Sequence, residues 1–171
     1  MRALTNLTML LSAVALTACA SSGGTATSTS NLSVVEKVAI NAPASEVWAK
    51  VNNFGDLGAW HPAVAKTEIV SGAKNEKGAV RLLTLQDGGQ ITETLTAYQP
   101  ELNAYSYVIN KGVLPVSGYA STIQVLPTAA GSEVTWRGNF KAAKGQDDKT
   151  ATTTIHAVYR GGLDNLKKLM E

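Results

Sequence analysis

Between Val64 and Phe140 the chain divides into six strand-like runs, at 64–70, 79–86, 90–98, 104–110, 117–126 and 133–140. Each is rich in β-branched or aromatic residues, and each ends at a turn signal: Gly72 to Gly78, Asp87-Gly88-Gly89, Gln99-Pro100-Glu101, Gly112 to Pro115, and Pro127 to Gly131. A repeat of about ten residues with mostly tight connections predicts an antiparallel meander. Ser33–Ile40 supplies one further strand ahead of the meander. Between it and the next strand, Pro43 to Val51 places Val47, Trp48 and Val51 at helical spacing, with Pro at the start. A second, shorter helical segment fits within Phe54 to Pro62, where Gly and Pro preclude a long one.

Beyond the meander the period changes from two to 3.6. From about Asp147 to Met170, apolar or small residues recur at Ala151, Ile155, Tyr159, Gly162, Leu166 and Leu169, one face of a long helix. Asp147 and Asp148 open it and Lys167 and Lys168 close it, as the helix dipole prefers. Gly161-Gly162 costs such a helix about 1 kcal/mol per glycine in intrinsic propensity, which points to a kink or a close approach to the sheet. The expected fold is α+β: a seven-stranded twisted antiparallel sheet wrapped around a long C-terminal helix, with two short helices after the first strand.

Upstream, Arg2, an apolar run from Leu4 to Leu16 and the tetrapeptide Leu16-Thr17-Ala18-Cys19 form a secretory signal too short to span a bilayer. Ending in Cys, it resembles the bacterial lipobox, in which the thiol is acylated and the chain cut before it. Ala20 in place of Asp resembles an outer-membrane sorting context. Residues 1–18 are thus expected to be a signal peptide, 19–31 an acylated Cys19 with an uncharged tether, and 32–171 the folded domain. The expected location is the periplasmic face of the outer membrane, held by the lipid anchor. Without Arg2, 14 basic residues face 13 acidic ones, with no basic run, so no nucleic-acid partner is expected. Cys19 is the only cysteine, which leaves the domain without a disulfide. His61 and His156 stand apart with no ligand-like partners nearby, so neither a metal site nor another cofactor is expected.

This order of elements comes with a set of short motifs: Ala42-Pro43-Ala-Ser-Glu-Val-Trp48, Phe54-Gly-Asp-Leu57, Trp60-His61-Pro62, Gly78-Ala-Val-Arg81, Asp87-Gly-Gly-Gln-Ile-Thr-Glu93, Tyr105-Ser-Tyr107, Leu114-Pro115, Tyr119 and Val134-Thr-Trp136. Together they resemble the START-like helix-grip (SRPBCC) superfamily, nearest its polyketide cyclase/dehydrase branch. The chain also looks like periplasmic accessory proteins of bacterial methanol oxidation. The resemblance implies an apolar cavity between sheet and long helix and a hydrophobic ligand such as a lipid, isoprenoid or aromatic, polyketide-like molecule. It does not by itself imply an activity.

Within that cavity the residues offer their own candidates. Arg81 shares strand parity with Leu83 and Leu85, and Glu93 with Ile91 and Leu95, so both charges lie on apolar faces. A three-residue loop Asp87-Gly88-Gly89 would make them diagonal neighbours, either as a structural ion pair or as a polar anchor for a ligand. Trp60 and His61 belong at the cavity mouth, Tyr105, Tyr107 and Trp136 on strand faces, and Tyr159 on the helix stripe. His156 is expected at the boundary or in solvent. Ala151 and Gly162, small residues on the inward stripe, are expected to leave volume unfilled. No nucleophile–base spacing is present, and no catalytic residue is assigned. Binding of a hydrophobic small molecule is therefore favoured over a cyclase/dehydratase-like enzyme. A role as partner of a periplasmic dehydrogenase rests on the resemblance alone.

Overall fold

The structure, a computed structural model, describes residues 30–171. The expected signal peptide (1–18), Cys19 and the expected tether up to residue 29 lie outside the described residues. The strands are β1 (Leu32–Ile40), β2 (Val64–Ser71), β3 (Val80–Leu85), β4 (Gln90–Gln99), β5 (Ala104–Gly112), β6 (Val116–Thr128) and β7 (Gly131–Ala142); the helices are α1 (Ala44–Val51) and α2 (Asp148–Met170). All pairings are antiparallel, in the order β1-β7-β6-β5-β4-β3-β2. β2 to β7 thus form the expected meander, and β1 closes onto its last strand.

Both helices start as their sequences predict. Pro43 precedes α1, and its carbonyl accepts the amide protons of Glu46 and Val47. Asp147 caps α2, its Oδ1 accepting from the Thr150 amide at 2.8 Å. The second short helix reduces to a 3-10 turn, Leu57–Ala59. Another such turn, Pro100–Leu102, links β4 to β5.

α2 lies along β1 and β7, burying Ala151, Ile155, Tyr159, Gly162, Leu163 and Leu166. Each buried Ile or Leu contributes about 1.5–3 kcal/mol to that packing. Leu169, assigned to the stripe, is instead 50 % exposed, and Leu163 takes an inward place. Leu169 stands five full turns after Ala151, on the same side of α2, and its exposure comes with its place in the helix's last turn rather than from a change of face.

The β3–β4 hairpin corrects the expected register. Its three-residue loop is Gln86-Asp87-Gly88, with Leu85 N–H donating to Gly89 O at 2.8 Å. Gly88 takes the left-handed position (φ 85°) that ends such a loop. Starting the loop one residue earlier shifts the pairing by two, which preserves side-chain parity. Arg81 consequently stands directly opposite Glu93.

Candidate functional site

Arg81 is the most enclosed charge in the domain. Its side chain is 0 % exposed, and its Nε–H donates to Glu93 Oε2 at 2.6 Å. Nη1 donates to the Phe54 carbonyl at 2.8 Å, and the guanidinium lies over the Phe54 ring, 4.1 Å from its centroid. The Tyr107 ring is next, at 5.0 Å. One arginine thereby clips the loop after α1 to the sheet. Burial raises the Glu93 carboxyl above its ordinary value, opposed by the adjacent guanidinium. Burial is the largest single influence on Arg81 and works against its charge, but Glu93 together with the oxygens of Tyr105 and Tyr107 more than offsets it, and the guanidinium is held protonated. Arg81 Nη2 and the Tyr105 hydroxyl are both buried without a hydrogen-bond partner among the described residues.

His61 sits inside the protein, at 3 % exposure, rather than at a surface. Nε2 donates to the Val158 carbonyl of α2 at 2.9 Å, and Nδ1 accepts from the Ala63 amide at 3.2 Å. This pairing requires the neutral ring, and burial, joined by the charge of Arg81, lowers the His61 pKa. Both nitrogens are engaged, so His61 ties the 3-10 turn to α2 and has no free proton site for chemistry. Gly162 makes the approach possible. A β-carbon there would lie 2.6 Å from His61 Cδ2 and 2.9 Å from Trp136 Cζ3. The expectation that Gly162 leaves volume empty is therefore overturned: the glycine is where helix, turn and sheet meet.

A cavity of about 70 Å³ remains between the β3–β7 face, the 57–64 turn and α2. Of the eight residues predicted to line it, His61, Glu93, Tyr107 and Trp136 do so. Trp60, Arg81, Tyr105 and Tyr159 do not. Trp60 packs on Trp136 with ring centroids 5.6 Å apart, Tyr105 lies between Trp48 and Phe54, and Tyr159 stacks on Trp136 at 4.5 Å. Arg81 is behind Glu93. Leu83, Leu85, Ile91, Ile109, Leu114, Tyr119 and Val158 complete most of the wall. Strand parity with Glu93 and Arg81 already marked Ile91, Leu83 and Leu85. Leu114 and Val158 were illegible, because a loop and a helix flank bring them in.

Behind the cavity runs a hydrogen-bond network. Tyr119 and Tyr159 hydroxyls meet at 2.5 Å, Tyr159 reaches Ser121 Oγ at 3.1 Å, and Ser121 donates to Arg137 O at 2.8 Å. Burial raises the Tyr107, Tyr119 and Tyr159 phenols above their ordinary values, so all three stay protonated at neutral pH. Ser121 was not a candidate from sequence, although its parity with Tyr119 and Ile123 is an inward signal.

On the outer side of α2, Glu36 of β1 accepts from His156 Nδ1 at 2.6 Å and from Arg160. His156 is exposed, as expected. Arg160 is the main cause holding the Glu36 carboxyl below its ordinary value. Among the described residues no three His, Cys, Asp or Glu side chains gather to hold a metal ion, and no helix is long and apolar enough to cross a membrane.

Residues 31–171 match the family model described as polyketide cyclase / dehydrase and lipid transport. The chain is similar to XoxI of Bacillus cereus, with 28 % identity and a TM-score of 0.72 over 82 % of this chain and 94 % of that one. A protein of Nitrosospira multiformis has 26 % identity and a TM-score of 0.72, over 82 % and 97 %. Ara h 8.0201 is 16 % identical with a TM-score of 0.67, over 82 % and 98 %, a likeness of helix-grip fold alone. No curated protein matches.

Proposed function

The chain belongs to the polyketide cyclase / dehydrase and lipid transport family, and from that premise we propose that it binds a small hydrophobic molecule between the sheet and α2. The observation that supports this reading is an apolar cavity whose wall carries a few polar groups, set within the hydrophobic core. At about 70 Å³ the cavity accepts one narrow end of a ligand. A larger guest requires the half-buried rim of Leu85, Ile109, Leu114 and Val158 to part. Binding has more support than a cyclase or dehydratase reaction, because His61 has both nitrogens engaged and Glu93 is held by Arg81. The test is titration of the full chain with an apolar fluorophore. Saturable one-to-one binding that Leu114→Trp abolishes supports the reading; absence of any saturable binding overturns it.

The same proposal places the domain at the periplasmic face of the outer membrane, tethered through acylated Cys19. Its support is the tetrapeptide Leu16-Thr17-Ala18-Cys19 and the uncharged stretch that follows.

A further inference from the structure

Two terminal groups decide every proton in the network behind the cavity. The Arg137 carbonyl can only accept, so Ser121 Oγ spends its proton there at 2.8 Å. Ser121 Oγ in turn accepts from Tyr159 at 3.1 Å, and Tyr159 accepts from Tyr119 at 2.5 Å. The Trp136 indole can only donate, and its Nε1–H is shared between Ser121 Oγ at 3.0 Å and the Tyr107 oxygen at 3.1 Å. Tyr107 is therefore an acceptor toward Trp136, and no described residue takes its own proton. Glu93, on the same cavity wall, commits Oε2 to Arg81 and receives no other side-chain hydrogen bond from the described residues. The cavity thus presents one spare O–H and one spare carboxylate oxygen on an apolar surface.

We propose, resting on the ligand-binding reading above, that the cavity selects a neutral ligand through a hydroxyl group, which accepts from Tyr107 and donates to Glu93. A ligand carboxylate would set a second negative charge against Glu93 in a site whose compensating Arg81 is turned away from the cavity. An ether could satisfy Tyr107 but would leave Glu93 without a donor. The apolar remainder of the ligand lies along Leu83, Ile91 and Ile109.

Calorimetric titration of the full chain at neutral pH with 1-octanol, methyl heptyl ether and octanoate separates these cases. The expected order is octanol about tenfold or more tighter than the ether, as the loss of a hydrogen bond to a charged group requires, and octanoate weakest. Tyr107→Phe keeps the ring's shape and is expected to weaken octanol about tenfold. The urea unfolding midpoint of that variant, set against the parent chain, checks that the core is retained. Ether or octanoate binding as tightly as octanol, or Tyr107→Phe leaving octanol unchanged, overturns the hydroxyl assignment while the ligand-binding reading stands. Failure of all three ligands to bind overturns the hydroxyl assignment, and the ligand-binding reading falls with it only where the apolar fluorophore also fails to bind.

Discussion

Arg81 and Glu93 face each other across the β3–β4 ladder, Nε 2.6 Å from Oε2, and the same guanidinium holds the Phe54 carbonyl. The pair serves as a clip between sheet and loop as well as a cavity wall. Glu93→Ala strands a fully buried cation and is expected to cost about 3–5 kcal/mol in urea unfolding. Arg81→Met with Glu93→Leu removes both charges and is expected to recover most of that loss. A cost below about 0.5 kcal/mol for Glu93→Ala would mean that the pair is solvated.

The adjacent glycines of α2 are expected to answer oppositely. Gly162→Ala drives a methyl into His61 and Trp136 and should destabilise by about 1–3 kcal/mol. A β-carbon at Gly161 meets nothing within 4 Å, so Gly161→Ala should stabilise by up to about 1 kcal/mol. Thermal unfolding of the two variants side by side checks both signs.

His61 makes folding sensitive to mild acid. Its pKa is lowered in the folded state, so below about pH 6.5 the unfolded chain binds a proton that the folded one refuses. Stability should fall with decreasing pH through that range, at a slope of up to about 1.4 kcal/mol per unit, and level off below the folded value. His61→Gln should flatten this slope in urea midpoints measured from pH 7.5 to 5.5, whatever its effect on stability at neutral pH. An unchanged slope counts against the neutral, doubly bonded ring.

Ser121 is the acceptor for Tyr159 and shares the Trp136 indole proton. Ser121→Ala leaves the Tyr159 proton without a partner and is expected to cost about 1–3 kcal/mol. Adding Tyr159→Phe should cost less than the sum of the two changes, because both act on one network. Additive losses in denaturant unfolding would mean that the hydroxyls are independent.

Cys19→Ser is expected to abolish membrane attachment, since Cys19 is the only thiol in the chain. Two or three acyl chains, at about 0.8 kcal/mol per buried methylene, give stable attachment that a single point change removes. Detergent-phase partitioning of the variant should drop to background; unchanged partitioning rules out the lipid anchor.

Local sequence determined the elements. Strand runs with a two-residue period, turn residues at their ends and a 3.6-residue period after Asp147 correspond to β2 to β7 and α2, because each signal depends only on neighbours along the chain. Parity also placed Arg81 and Glu93 on inward faces. Tertiary structure decided what those faces meet. The left-handed turn at Gly88 set the register that opposes Arg81 to Glu93. The contact of Gly162 with His61 and Trp136 turned an expected void into a packing point and moved His61 from mouth to interior. Which aromatics line the cavity and which fill the core could not be read from the chain, because inward-facing tyrosines and tryptophans obey the same periodicity in either role. Only the distance between helix and sheet, set by where glycines let them approach, distinguishes the two.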